Sequence, residues 1–562
     1  MLPNLTKKID GQEKPEATEP HGFRRVLLKL PVYFDALRIN PRLWLVAFWW
    51  RLLRKRVRSR AQFAPLLSAS PRSYNLWLLS EPSLSDPCMT AQGAYPPIVA
   101  IVSEGERQAD TLNCFSLQSL RQTELTVLAL GTSQTPDIIA ALKYIDWDTA
   151  PWLLPLKAGD TLAPGAVNSY RIAAMETASR GGRLVYADDD LIDPRGQRVT
   201  PHFKTEWNGE LQSHFDFLTG ACILNPRPDE LAELTGPDWA ERLVEAIAQD
   251  TIPCHLPYVL HHRLARPAPQ IPTKAKLGRG SSLPKATIII PTRNRVDLLR
   301  TCIEGLSRTD YPDFEVIVVD NGSDEAATLD YLAALDPTQY RVLRDNGGFN
   351  FSRLNNRAAE LATGELLCLL NNDIEVLEPD WLTIMSKQAL RPEVGAVGAQ
   401  LLYPDGRIQH AGVVLGICGG AAHAHRLLQT DEEGYFHRHS LPQYVSAVTA
   451  ACLVVRRECF EAVGGLDEDN FAVAFNDVDL CLRLNQRGWQ SFYEPRARLI
   501  HHESVSRGFD RDPVGAARMA RELAALKARW NTGDMNVQVD RFHHPQLCRY
   551  SERFVVQLRG RQ

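Results

Sequence analysis

The sequence has no C-x-x-C pair; its eleven cysteines stand singly between Cys88 and Cys548. Neither a disulfide framework nor a zinc ribbon is indicated, and reduced thiols in a cytosolic protein are expected. Charge of one sign is also missing. Lys+Arg 63 against Asp+Glu 67 leaves −4, so no global charge argues for nucleic acid. With 44% hydrophobic and 23% charged residues the composition is globular, which excludes a disordered chain and a multi-span membrane protein. Two phosphate-binding signatures are absent as well. No G-x-x-x-x-G-K-[ST] occurs, and the strand at Thr287–Ile290 runs into P-T-R-N-R where a dinucleotide fold would place G-x-G-x-x-G.

A chain of 562 residues is too long for one ordinary domain and suggests three or four units at roughly 150 residues each. Residues 1–22 are polar, read as a disordered tail, and do not have the pattern of a secretory signal. Residues 23–60 carry eleven Arg or Lys against one acid, Asp35, around the apolar run Leu43–Trp50. Eight apolar residues fall well short of the roughly 20 that span a bilayer. Aromatic residues beside a basic cluster suit amphipathic helices over 23–95 that pack, or that lie on an anionic membrane surface.

Two α/β units are expected next. Residues 96–265 alternate β-rich runs (Ile98–Val102, Leu125–Leu130, Leu184–Tyr186) with helical stretches such as Val167–Ala178. A Pro-, Gly- and Ser-containing linker at 266–285 separates them from a second unit over 286–510, followed by a C-terminal helix (Val514–Trp530) and a weakly ordered tail to 562. In the second unit strands at Thr287–Ile290, Glu315–Val319, Tyr340–Leu343 and Glu365–Leu370 alternate with helices at Val296–Leu306 and Phe351–Ala362. That alternation predicts a mostly parallel, Rossmann-like sheet, in which ligands sit beyond the carboxyl ends of the strands. Three of those ends are polar: Thr292/Asn294, Asp320/Asn321 and Asn371/Asn372/Asp373. An acid after an apolar strand, such as Asp373, can hold Mg²⁺ or Mn²⁺ against a diphosphate, although polar turn residues there are common for structural reasons.

A second acidic cluster, F-N-D-V-D-L-C-L-R at 475–483, opens a helix. Arg483 lies four residues beyond Asp479 and can pair with it, leaving Asp477 for a proton-transfer task. The strand Ala497–Ile500 leads to His501-His502, where a neutral imidazole can ligate a metal.

These motifs carry a resemblance. T-I-I-I-P-T-R-N-R at 287–295, V-I-V-V-D-N-G-S at 316–323, L-L-N-N-D-I-E-V at 369–376, V-G-G-L-D-E at 463–468, N-D-V-D-L-C-L-R at 476–483 and H-H-E-S-V-S-R-G at 501–508 follow the order of a family 2 glycosyltransferase with the GT-A fold. The match is closest to the bacterial O-antigen and rhamnosyl-type branch. It implies that Pro291, Thr292, Asn294, Asp320, Asn346, Asn371 and Asn372 bind a UDP- or dTDP-type nucleotide sugar. It implies that Asp373, with His501 or the adjacent His502, ligates Mg²⁺ or Mn²⁺, and that Asp477 is the general base. Ser446, Thr449 and Asn476 fall on the acceptor side. Asn371 and Asn476 stand where the family often has acids.

The first unit resembles the family less well. L-V-Y-A-D-D-D-L-I-D-P-R-G at 184–196 matches a segment of two-domain members, but Lys157-Ala158-Gly159-Asp160 replaces the metal-binding motif. It is read as a degenerate GT-A-like domain that binds a glycan or a partner, with Asp188, Asp189 and Asp190 either functional or a solvated acidic turn. The five histidines between His410 and His439 are read as an exposed loop or one bordering the acceptor or the diphosphate. The whole is expected to be an inverting, non-processive transferase at the cytoplasmic membrane surface, extending a polyprenyl-diphosphate-linked glycan. The rival is a non-catalytic glycan-binding scaffold of two inactive domains.

Overall fold

The computed structural model describes residues 22–82, 84, 95–118, 120, 121, 123–232, 234–273, 283–502, 513–533 and 539–558. The N-terminal tail, the middle of the linker and Glu503–Gly508 of the last motif lie outside the described residues. The chain forms two compact units. One is built on Ser68–Gln270 and takes in His544–Leu547; the other is built on Ile271–His543 and takes in the residues up to Leu67 and Cys548–Val555. The basic segment expected over 23–95 is thus divided at Leu67/Ser68.

The strands of the first unit are β1 (Ile98–Val102), β2 (Leu125–Ala129), β3 (Trp152–Leu156), β4 (Thr161–Leu162), β5 (Leu184–Ile192), β6 (Arg198–His202), β7 (Cys222–Leu224) and β8 (Cys254–Arg263). They pair in the order β2-β1-β3-β7-β5-β8-β4, with β6 on β5. In the second unit come β9 (Ala286–Thr292), β10 (Phe314–Asp320), β11 (Tyr340–Arg344), β12 (Leu366–Leu370), β13 (Ile374–Val376), β14 (Val394–Leu402), β15 (Ile408–His410), β16 (Val413–Leu415), β17 (Ala421–His423), β18 (Gln443–Val445), β19 (Cys452–Arg456) and β20 (Gln490–His501). Their main sheet runs β11-β10-β9-β12-β19-β14-β20-β13. The two orders correspond strand for strand from β2/β10 to β4/β13. In each unit a parallel block is followed by one antiparallel strand, β7 or β19, and then a parallel pair, β5–β8 or β14–β20. The sheets are therefore mixed, with their parallel blocks where the β-α alternation placed them.

The second sheet is apolar on both faces, as expected of parallel strands under helices on each side. Ile288 and Ile290 point into one cluster with Val316, Val318, Leu366 and Cys368; Ile289 points into the other with Ile317, Val319, Leu367 and Leu369. This period of two fixes the register, because a slip by one residue would exchange the faces. The helix Val296–Ser307 covers one side through Leu299, Cys302 and Leu306. Two successive non-glycine residues in the left-handed region, Asn294 (φ 53°) and Arg295 (φ 52°), turn the chain from β9 into this helix. Such conformations persist only where surrounding contacts hold them.

Asp188, Asp189 and Asp190 are not a solvated turn. They lie within β5 and are fully buried, each with basic partners. Asp189 pairs with Lys204 at 2.9 Å and with Arg266, and Arg263 lies 3.6 Å away. Asp190 accepts from Tyr74, Arg198 and His262. The sequence pattern Y-A-D-D-D does not reveal this, since every partner is remote in the chain. Of the five histidines, His410, His425 and His439 are buried, not exposed. Residues 539–558 of the C-terminal tail are also more ordered than expected: Leu547 and Val556 bridge, and Asp540, His543 and His544 are buried.

Removing one member of a buried ion cluster strands the others. Asp189→Ala is therefore expected to destabilise the first unit by about 3–5 kcal/mol in chemical denaturation, since Lys204 and Arg263 would be left buried without their anion.

Candidate functional site

The site of the second unit is assembled from the carboxyl ends of β9, β10 and β12, the end of β20, and the start of the helix Asn476–Gln486. The strand ends are tied to one another. Asn321 N donates to Thr292 O (2.8 Å), Asp345 N to Asp320 O (2.9 Å), and the Asn372 amide to Thr292 Oγ1 (3.0 Å). Asn294 N donates to Ser323 Oγ (2.8 Å), and its side-chain oxygen accepts from Asp324 N and Glu325 N. Asp320 accepts from Ser323 N (2.9 Å) and is ion-paired to Arg344, whose Nε donates to Asn346 (2.9 Å). Any base or ribose reaching Asp320 therefore meets Arg344 beside it, a neighbour the sequence did not indicate.

Beyond β12, Asp373 is 4% exposed and its Oδ1 lies 3.1 Å from His501 Nε2. His502 donates its backbone N–H to Asp373 O (3.0 Å), but its ring goes to Glu375 (2.9 Å). The structure thus brings His501, and not the ring of His502, to Asp373. One carboxylate oxygen and one imidazole nitrogen at this spacing fit two positions in the shell of a divalent ion.

Asp477 sits at the helix start, where the preceding Phe475 (φ 60°) is left-handed. Its carboxylate accepts from Ala450 N (3.1 Å) and Val478 N (2.8 Å), and the Thr449 hydroxyl bonds to it. Burial nevertheless pushes its pKa above the usual carboxylate value, against these hydrogen bonds. Asp479 has the structural role anticipated for it. It is fully buried and is held by Arg483 (2.7 Å), Arg529 (2.8 Å) and Trp530 Nε1 (3.0 Å), the last two on the C-terminal helix Pro513–Trp530. Ala451 O accepts from Asn371 N (2.9 Å), so adjacent residues, 450 and 451, join Asp477 to the end of β12. Pro291 is buried inside β9. Ser446 is buried against Asp540, and the Asn476 amide donates to Val473 O (3.0 Å), so these two are engaged in the interior.

Sequence reasoning missed Gln409, and it named His410 only as part of a histidine-bearing loop. Gln409 meets His501, and His410 accepts from Thr449 N (3.4 Å) and Gly412 N (3.3 Å) while contacting His423 at 2.7 Å. No spacing rule marks Gln409, because β15 is short and is placed by its pairing with β14 and by Leu427 and Leu428.

The family model described as "Glycosyl transferase family 2" matches residues 287–464. This segment is a family 2 glycosyl transferase domain. Relatives extend the likeness beyond it. The chain is 38% identical over 445 residues to the uncharacterized protein y4gI of Sinorhizobium fredii, covering 71% of this chain and 48% of that one. It is 36% identical over 406 residues to the O-antigen biosynthesis protein RfbC of Myxococcus xanthus, covering 64% and 31%. Over 70 residues it is 46% identical to an N-acetylglucosaminyl-diphospho-decaprenol L-rhamnosyltransferase of Mycobacterium tuberculosis, covering 12% and 22%. The chain spans less than half the length of each of these relatives.

The first unit holds a different constellation. Asp188, His255 and His544 each bring a ligand atom within 4.8 Å of the others, a group that could hold a metal ion. Burial opposes the charged form of Asp188, but His544 and His255 outweigh it and hold the carboxyl below the usual range. His544 Nδ1 accepts from Gln546 N (3.0 Å), which places the proton of a neutral ring on Nε2, facing Asp188 at 2.8 Å. Without an ion, the three therefore form a carboxylate held between two imidazoles. At the end of β3, where the second unit has Asn371–Asp373, stand Lys157, Ala158, Gly159 and Asp160. Burial pushes the Asp160 pKa up to about 6.

The Asp477 shift has a definite stability signature. A carboxyl whose folded pKa is raised favours the protonated fold, so stability falls as pH rises through the folded pKa. Asp477→Asn should therefore gain stability relative to wild type on going from pH 4 to pH 8, measured by thermal denaturation across that range. Parallel pH profiles for the two proteins would show that Asp477 is not desolvated.

Proposed function

We propose that the second unit transfers a sugar from a nucleotide-diphosphate donor, of UDP or dTDP type, to a hydroxyl of a lipid-linked surface glycan, with inversion at the anomeric carbon. The observation that carries this reading is the meeting, at the strand ends of a family 2 domain, of a metal-competent pair (Asp373, His501) and a desolvated acid (Asp477) bound to neighbouring backbone. In this reading Thr292, Asn294, Asp320, Asn346, Asn371 and Asn372 line the donor side, with Pro291 fixing the end of β9. Asp373 and His501 would hold Mg²⁺ or Mn²⁺. When bound, such an ion neutralises charge on the departing diphosphate. Asp477 accepts the proton of the acceptor hydroxyl as its oxygen bonds to the anomeric carbon and the bond to the diphosphate breaks. Its raised pKa makes it a better proton acceptor than an exposed carboxylate, and Thr449 orients it.

The lipid-linked acceptor gives the N-terminal helices a purpose. Gly22–Ile39, Pro41–Leu52 and Arg56–Ser68 are helical, and no described helix is long and apolar enough to cross a membrane. Asn40 caps the second helix by accepting from Leu43 N (3.0 Å), with Pro41 at its first position. Ser59 Oγ bonds Ala47 O (2.9 Å), and Trp44 and Tyr33 pack on Phe63, so these helices have an inner face. The outer face is apolar too: Phe34, Leu45, Trp49, Leu52 and Val57 are exposed, Trp49 at 58%. Exposed apolar side chains among eleven Arg and Lys suit the cytoplasmic leaflet of an anionic membrane.

Two measurements test this. Asp477→Asn should lower the turnover number for sugar transfer by about 10²–10⁴-fold while nucleotide binding is retained; wild-type turnover would remove Asp477 from the reaction. Trp49→Glu combined with Leu52→Glu should abolish co-sedimentation with anionic vesicles and leave the melting temperature unchanged. Undiminished binding would contradict the membrane assignment.

A further inference from the structure

His501 has a tautomer problem that its neighbours solve. Its Nε2 lies 3.1 Å from a carboxylate oxygen of Asp373. Left to that neighbour alone, a neutral imidazole would place its proton on Nε2 and donate to the carboxylate, and a protonated nitrogen cannot ligate a cation. The ring's other nitrogen, Nδ1, lies 2.7 Å from Oε1 of Gln409. A carbonyl oxygen only accepts, so Nδ1 must carry the hydrogen, and Nε2 is left with its lone pair directed at Asp373. A second contact agrees. The Asn371 amide nitrogen, a donor, lies 3.2 Å from the same Nε2.

Gln409 is well placed to impose this choice. It is 3% exposed, in the middle of β15, which is paired to β14 and flanked by buried Ile408 and His410. It lies ninety-two residues from His501 in sequence, and its side chain is uncharged, so it fixes the proton without adding charge to the site. The next residue on the same strand, His410, accepts from the backbone of Thr449, on the base side. One short strand thus supports both sides of the site.

We propose that Gln409 is a positioning residue that holds His501 in the Nδ1–H tautomer, so that its Nε2, together with Asp373, can take a divalent cation. The proposal rests on the metal reading given above. Imidazole ligands are generally fixed by a hydrogen bond at the other ring nitrogen, and loss of such a partner costs about 10–100-fold in metal affinity.

The test uses the full chain and three proteins: wild type, Gln409→Met, which keeps the length but not the acceptor, and Gln409→Glu, which keeps an acceptor. Mn²⁺ uptake is followed by electron paramagnetic resonance in the presence of UDP or dTDP. The His501 tautomer is read without metal from long-range ¹H–¹⁵N spectra of ¹⁵N-histidine-labelled protein, assigned by loss of the signal in His501→Asn. The expected result is an Nδ1–H ring in wild type, a ring moved to Nε2–H in Gln409→Met with Mn²⁺ binding weakened about 10–100-fold, and Gln409→Glu within a few-fold of wild type. Wild-type Mn²⁺ uptake in Gln409→Met, loss of uptake in Gln409→Glu, or an Nε2–H ring in wild type would each overturn the proposal alone. A wild type that takes up no Mn²⁺ with either nucleotide would overturn the metal reading and the proposal together.

Discussion

The backbone of Ala450 and Ala451 is the constraint on which the second unit's site depends. Ala450 N donates to Asp477 and Ala451 O accepts from Asn371 N, so Asp477 and the end of β12 are held a fixed number of bonds apart. The segment is itself secured, since His410 accepts from Thr449 N and Ala451 leads directly into β19. β19 in turn is the antiparallel strand between β12 and β14, and it locks the parallel block carrying Asn371–Asp373 to the pair β14–β20 that ends at His501. Backbone hydrogen bonds in a buried sheet are among the least deformable contacts a protein has. Asp477 is held from a turn that runs straight into such a sheet strand.

The two units share a strand order and differ at the strand ends. In the second unit those ends carry amides, hydroxyls and acids that face one another at hydrogen-bonding distance. In the first, β3 ends at Lys157, and the acids of β5 are consumed by Lys204, Arg266, Arg198 and two imidazole pairs. Asp189 and Asp190, already matched by lysine and arginine side chains, have little left to offer an incoming ion. The same architecture thus supports a site in one unit and an internal ion network in the other, with Asp188, His255 and His544 as its metal-competent corner.

Much of the fold was legible. The β-branched runs and the spacing of apolar helix positions placed β9 to β12 and the helix Val296–Ser307 within a residue or two, because β9, β10 and β12 are buried on both faces of the sheet. The placement of Asp373, Asp477 and His501 was readable because each stands at the end of a regular element, where sequence position determines spatial position. Arg344, Gln409 and the burial of Asp188–Asp190 were not. Their contacts depend on strand pairing and on residues tens to hundreds of positions away, which no local period encodes. Of the two readings of the histidines between His410 and His439, exposure fails for His410, His425 and His439, because the loop folds over Gln400 and Tyr493, which bond the His439 carbonyl.

The most direct measurement is the thermal stability of the full chain with UDP, dTDP or GDP, each with and without Mn²⁺, for wild type and Asp373→Ala. A ligand at about 100 times its dissociation constant adds roughly 2.7 kcal/mol, a readily seen shift. The account predicts stabilisation by one nucleotide that requires Mn²⁺ and disappears in Asp373→Ala. No stabilisation by any nucleotide, or an equal effect in the variant, would contradict it and favour a glycan-binding scaffold.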